Sequence, residues 1–278
     1  MDQKKLFRNG KKIVYYTIGD GPVVVLAHGF GETASVWKNQ FHSFPDFKLI
    51  IPDLPGSGAS DMIEDMSMEG IAEVLKAIIV HEEASLFFKE GEPGSVVMIG
   101  HSMGGYISLA FAEKYPQMLK GLGLFHSTAF ADTEEKKETR RKGIDFIEKN
   151  GAFDFLKATA PNLFSELTKE KNPTFIEQHL DSVRNFSTVS LVSYYKAMMA
   201  RPERSNILKE INIPILIVAG KYDNAVPLKE SLTLAHIPEL SYFHILDNSG
   251  HMGMIEERAA TNLLLSDYLK RFQTTVQP

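Results

Sequence analysis

The sequence predicts an α/β fold: a mostly parallel central sheet flanked by helices, with a helical cap inserted late in the sheet. Two observations carry that prediction. Short apolar runs alternate with helical patterns, the mark of parallel strands joined by crossover helices. The alternation then stops over residues 128–206, where only helical patterns appear, and resumes afterwards. A chain of 278 residues is long enough for one large domain of this kind. The expected division is core over 1–127, cap over 128–206 and core again over 207–278.

The elements run in order along the chain. Lys11–Ile18 reads as a strand, with Leu6-Phe7 as its hairpin partner across Asn9-Gly10. Val23–Ala27 is continuously apolar, as a strand covered on both faces must be. Residues 47–51 give the next strand, followed by a turn from Pro52 to Gly58. Residues 68–88 read as a helix, 96–99 as a strand, and Leu119–Phe125 as another. In the insertion, Asp132 is expected to cap a charged helix, with Glu135 as its capping-box partner and a stop near Asn150-Gly151. Asn172-Pro173 opens a second helix with Ile176, Leu180 and Val183 on one face, and Leu191, Tyr194, Tyr195 and Met198 suggest a third. Residues 213–219 and 242–246 resume the strands. A final helix carries Ile255, Ala259 and Leu263 at helical spacing.

Composition excludes several classes of function. A formal charge of −5 argues against non-specific binding to nucleic acid or anionic membrane. With no cysteine there is no disulfide, no thiolate catalysis and no cysteine metal site. The N-terminal residues Met1 to Lys5 lead into no apolar h-region, and no apolar run approaches membrane-spanning length, so a cytoplasmic location is expected. No phosphate-loop, dinucleotide-binding or His-Glu-x-x-His pattern occurs, so neither cofactor nor metal is indicated. Oligomeric state is not legible.

The chemistry lies in Gly100-His101-Ser102-Met103-Gly104-Gly105, between an apolar run and a helical pattern. A serine on a sharp strand-to-helix turn is a nucleophile elbow. A Cβ at position 100 or 104 would collide with the neighbouring strand or helix, and the strained turn lifts the hydroxyl clear of the sheet. A serine hydroxyl needs a base, and the base needs a group to orient it. In this arrangement the order should be Ser, then Asp or Glu, then His, each after a strand. Asp223, in Lys221-Tyr222-Asp223-Asn224, and His251, in Asn248-Ser249-Gly250-His251, satisfy that order. The loop His28-Gly29-Phe30-Gly31 after the first buried strand is expected to give a second oxyanion N–H, at Phe30, beside that of Met103.

With these pieces together, the chain resembles a lid-bearing serine hydrolase of the α/β-hydrolase fold superfamily, in the carboxylesterase, lactonase and C–C hydrolase branch. The matching stretches are His28 to Gly31, Asp53 to Ser60, Gly100 to Gly105, Gly220 to Pro227, and Gly250-His251-Met252, and the core match covers nearly everything outside the insertion. Ser102 separates the chain from dehalogenases and epoxide hydrolases of this fold, which use an aspartate nucleophile. The resemblance implies hydrolysis of a small-to-medium apolar ester, thioester or lactone through an acyl-enzyme on Ser102. C–C bond hydrolysis or a lyase reaction on the same residues is the alternative, and a small-molecule receptor is the non-enzymatic one.

Competing readings attach to several residues. Asp247 is a rival to Asp223 that more simply caps its turn, and Asp132 a minor rival after a strand. His101 is expected in packing or a structural hydrogen bond, and His28 as a brace for the oxyanion loop. Phe30, His126 and Phe130 are the candidates for substrate contact, with a satisfied polar turn equally good for His126 and Ser127. Leu54 is a candidate for the pocket border. The run from Glu134 to Lys142 reads as a solvated face, and the aromatic residues of the insertion as mostly helix packing.

Overall fold

The computed structural model describes residues 1–82 and 95–273. Its strands are β1 (Asp2–Arg8), β2 (Lys11–Ile18), β3 (Val23–Ala27), β4 (Lys48–Pro52), β5 (Val96–His101), β6 (Leu119–Phe125), β7 (Ile215–Gly220) and β8 (Ser241–Leu246). They form one eight-stranded sheet in the order β1-β2-β4-β3-β5-β6-β7-β8. β1, β2 and β4 pair antiparallel, and every other pairing is parallel. The first hairpin turns at Asn9 and Gly10, with φ of 48° and 74°, as a two-residue turn of this hand requires.

Alternation along the strands divides the core between the two faces. Val23, Val25, Val96, Met98, Ile215 and Ile217 pack on one side with α1 (Met68–His81) and α2 (Met103–Lys114). Val24, Leu26, Val97, Ile99, Leu216 and Val218 pack on the other. Burying each such side chain is worth about 1.5–3 kcal/mol, which is why the central strands read as unbroken apolar runs. α1 starts where Ser67 accepts the Gly70 N–H, and it ends at His81. The rest of the helix predicted over 68–88, from residue 83 onward, lies outside the described residues.

Between β6 and β7 the chain is helical: α3 (Glu134–Asn150), α4 (Ala152–Thr159), α5 (Glu166–Lys171), α6 (Thr174–Ser182), α7 (Thr188–Ala200) and α8 (Ser205–Glu210). These helices have a small core of their own, built on Ile144, Ile147, Phe155, Leu156, Leu191 and Val192. α3 is capped by Thr133, whose hydroxyl accepts the Lys136 N–H, and not by Asp132. Asp132 is instead drawn to charge: its carboxylate pairs with Arg140 and Arg201.

α9 (Leu228–Ala235) follows β7, and β8 leads into α10 (Gly253–Glu256) and α11 (Arg258–Leu269). The predicted stripe Ile255-Ala259-Leu263 is not the buried face. Glu257 breaks the helix with φ −124° and ψ 55°, and the break re-phases α11. Leu264, Leu265, Tyr268 and Leu269 are buried, while Leu263 is 63 % exposed. No described helix is long and apolar enough to cross a membrane.

Candidate active site

Ser102 stands between β5 and α2 with φ 50° and ψ −116°, a region that non-glycine residues rarely occupy. The surroundings over-determine that conformation. The Ser102 N–H donates to the Phe125 carbonyl at 3.0 Å, and its carbonyl accepts from the Gly105 N–H at 2.9 Å and Ser127 Oγ at 2.7 Å. A Cβ on Gly100 would run into the backbone of Gly104, and one on Gly104 into the carbonyls of Ala27 and His28. Met103 opens α2, and the first N–H groups of a helix have no partner within it.

The loop after β8 carries His251. Its N–H donates to the Leu163 carbonyl at 2.7 Å, and Glu256 accepts the N–H groups of Gly250, Met252 and Ser165. The segment between β6 and β7 therefore helps to fix this loop. His251 Nδ1 lies 2.8 Å from Asp223 Oδ2. Asp223 follows β7, and its Oδ1 accepts the N–H groups of Ala225 and Val226 at 2.8 and 2.9 Å. Asp247 pairs with Lys221 on the surface, and Asp132 sits with the two arginines, so neither reaches His251.

His126, a candidate for substrate contact in the sequence, is instead a second histidine on the same acid. His126, with φ 49°, places Nδ1 3.0 Å from Asp223 Oδ2. Both imidazoles donate to one oxygen, while the buried His126 Nε2 has no partner among the described residues. Burial disfavours the charged form of Asp223, but the two histidines outweigh it and hold its pKa far below the usual range. Burial would lower the His251 pKa, yet Asp223 raises it above that of an ordinary histidine. For His126 burial prevails and pushes the pKa down to about 4, so the ring is neutral at pH 7.

The loop from His28 to Glu32 closes the other side. His28 Nε2 accepts the Leu54 N–H at 3.0 Å, and its Nδ1 faces the Gly29 carbonyl at 2.9 Å, so His28 braces the loop. Glu32, missed by sequence reasoning, accepts the Gly29 N–H at 2.6 Å and meets His101 Nδ1 at 3.0 Å. Burial raises the Glu32 pKa, but His101 overcomes it and brings it to about 2. His101 Nε2 reaches the His251 carbonyl at 3.0 Å, linking the two loops. No local pattern records the contacts of Glu32 with His101 or of His126 with Asp223, because these partners are distant along the chain.

Ser102, His251 and Phe30 line one cavity of about 320 Å³, with Phe155, Leu156, Tyr195 and Met198 from the helices between β6 and β7. Phe30 stacks on Tyr195 with centroids 4.3 Å apart. His126 and Phe130 do not line this cavity: His126 is turned to Asp223, and Phe130 borders a neighbouring depression. Leu54 is fully buried and does not border it either. The charged run on α3 is not purely a solvated face, since Lys136, Thr139 and Arg140 reach the cavity. His179 of α6 also lines it, with its pKa lowered by burial. His126, Asp223 and His251 bring ligand atoms within 4.8 Å of one another, but the Nδ1 atoms of both rings are taken up by the carboxylate.

Residues 22–258 match the family described as alpha/beta hydrolase fold. Protein ABHD8 of Bos taurus is 27% identical over 257 residues, 89% of this chain and 56% of that protein, so the chain spans little more than half its length. The 2-hydroxy-6-oxononadienedioate/2-hydroxy-6-oxononatrienedioate hydrolase of Burkholderia vietnamiensis is 27% identical, covering 94% of this chain and 91% of that one. Among solved structures, a thermophilic esterase from Thermogutta terrifontis superposes with a TM-score of 0.89 at 27% identity, over 99% of this chain and 100% of the other.

Proposed function

The chain belongs to the alpha/beta hydrolase fold family, and from that premise we propose that it is a serine hydrolase acting on small-to-medium, largely apolar carboxylic esters, thioesters or lactones. The observation that carries this reading is the His251 Nδ1–Asp223 Oδ2 contact of 2.8 Å behind a cavity shared by His251 and the strained Ser102. Ser102 Oγ attacks the substrate carbonyl while His251 Nε2 takes its proton. Asp223 holds the Nδ1–H and stabilises the imidazolium. The developing oxyanion rests on the N–H groups of Phe30 and Met103, each worth roughly 3 kcal/mol by the precedent of such donors. His251 returns the proton to the leaving group, then activates the water that releases the acyl group. The helices from α3 to α8 act as a cap that shapes the acyl pocket and excludes bulk water.

A series of nitrophenyl esters of increasing chain length, run beside Ser102→Ala and Asp223→Asn, tests the reading. Ser102→Ala should abolish turnover, and Asp223→Asn should lower it by about 10⁴. Because the base must be neutral and Asp223 raises its pKa, activity should rise with pH through a value above the ordinary ~6.5 of histidine. Undiminished hydrolysis by Ser102→Ala refutes the proposal. C–C bond hydrolysis on the same residues is the second reading, favoured by the name of the Burkholderia vietnamiensis relative. Product analysis with a vinylogous diketone separates the two.

A further inference from the structure

The cavity wall is mostly apolar, but one stretch is charged. Arg140 of α3 lines it, with Lys136 one turn earlier. Arg140 is held rigidly: Nε and Nη2 donate to Asp132 at 2.6 and 3.2 Å, and the guanidinium lies 5.4 Å from the Tyr195 ring centroid. The same Asp132 receives Arg201 at 2.9 Å. One carboxylate therefore serves two guanidinium groups, and the trio keeps a net positive charge. Arg201 has its remaining contacts within the protein, donating to the carbonyls of Met198 and Phe130 and lying over Tyr106.

Arg140 differs. Its Nη1 has no acceptor among the described residues. Glu32 is the one carboxylate among the lining residues, and it is engaged by Gly29 and His101. Burial opposes the Arg140 charge, but the Asp132 bonds prevail and hold its pKa above the usual value. Among the described residues Lys136 has only Glu230, at 3.6 Å, and it borders the neighbouring depression as well, which puts it at the rim. A cation fixed at the cavity wall, with one edge of its donors reached by solvent rather than by a protein acceptor, is ready to take an acceptor from a ligand. The planar fork of a guanidinium fits a carboxylate.

We propose that Arg140 forms a carboxylate-binding subsite, so that the substrate is an ester, thioester or lactone whose apolar body ends in a carboxylate. The inference rests on the hydrolase reading for the reaction, but the subsite itself can be tested without turnover. A neutral alkyl end would leave the Arg140 donors unpaired, whereas a carboxylate end satisfies them and gains attraction from Lys136.

The test has two arms. In the first, kcat/KM is measured for 4-nitrophenyl hemiesters of glutarate and adipate against neutral alkyl esters of matching length. 4-Acetoxybutanoate and its amide serve as a pair with the charge on the leaving group. Wild type, Arg140→Gln and Arg140→Lys are compared. Arg140→Gln should lower the anionic-to-neutral ratio at least tenfold in one of the two series, with Arg140→Lys between it and wild type. An unchanged ratio in both series overturns the subsite. Asp132 keeps Arg201 in the Gln variant, which favours folding. Should that variant still fail to fold, the wild-type ratio decides: no preference for the anionic member in either series overturns the proposal.

In the second arm, calorimetry measures glutarate against glutaramide on Ser102→Ala protein, with and without Arg140→Gln. Arg140-dependent binding of glutarate alone supports the subsite even if no ester is hydrolysed, in which case the hydrolase reading fails and the subsite stands. Ester hydrolysis with no Arg140-dependent selectivity and no glutarate binding leaves the hydrolase reading standing and sinks the subsite.

Discussion

Asp223 Oδ2 receives two imidazoles, and that arrangement has a measurable consequence. His126 is fully buried with a pKa near 4, while in an unfolded chain it titrates near 6.5. Its folded pKa is depressed, so the unfolded state binds the extra proton first as pH falls. The stability contributed by neutral His126 is complete above pH 6.5 and declines as pH drops from 6.5 to 4, by about 3 kcal/mol. Urea unfolding of wild type across that window should show the slope, and His126→Asn should flatten it. Equal slopes in the two proteins would mean that His126 is not held neutral. The residue pattern also marks what a sequence can disclose. Ser102 announces itself through its flanking glycines, and Asp223 and His251 through their positions after strands. His126 and Glu32 owe their roles to contacts 97 and 69 residues away, which no local pattern records.

Among the elements, the β5–α2 junction is closely packed against backbone. Gly104 lies against the Ala27 and His28 carbonyls, at the end of the strand that leads to the Phe30 loop. Backbone cannot yield as a flexible side chain can, so Gly104→Ala should cost about 3 kcal/mol and separate Ser102 from Phe30. Thermal unfolding measures the first effect, and ester hydrolysis by the still-folded fraction the second. Full stability with full activity would show that the junction tolerates a methyl. This tightness was legible, because glycine spacing around a serine is a local signal. The orientation of α3 was not. Its run of charges reads as solvated, and only its packing against α7, with Asp132 recruiting Arg140, turns one edge toward the cavity. The final helix misled for a related reason: the break at Glu257 shifts the buried face by an amount that periodicity alone does not register.

At the scale of the molecule, the parallel sheet brings the ends of β3, β5, β7 and β8 to one edge, so residues far apart in sequence share a cavity. The helices between β6 and β7 complete that cavity and grip the His251 loop through Leu163 and Ser165. The sheet was readable because fully buried strands must be apolar throughout. The cavity contents were less so, since side-chain facing depends on how the helices between β6 and β7 dock. The proposed chemistry requires Ser102 to be an activated nucleophile. It is tested most directly by treating the protein with a fluorophosphonate and locating the adduct by peptide mass mapping. A single adduct on Ser102 is predicted, absent from Ser102→Ala and formed far more slowly in His251→Ala. Adduct formation undiminished in Ser102→Ala, or carried on another residue, would mean that Ser102 is not the nucleophile.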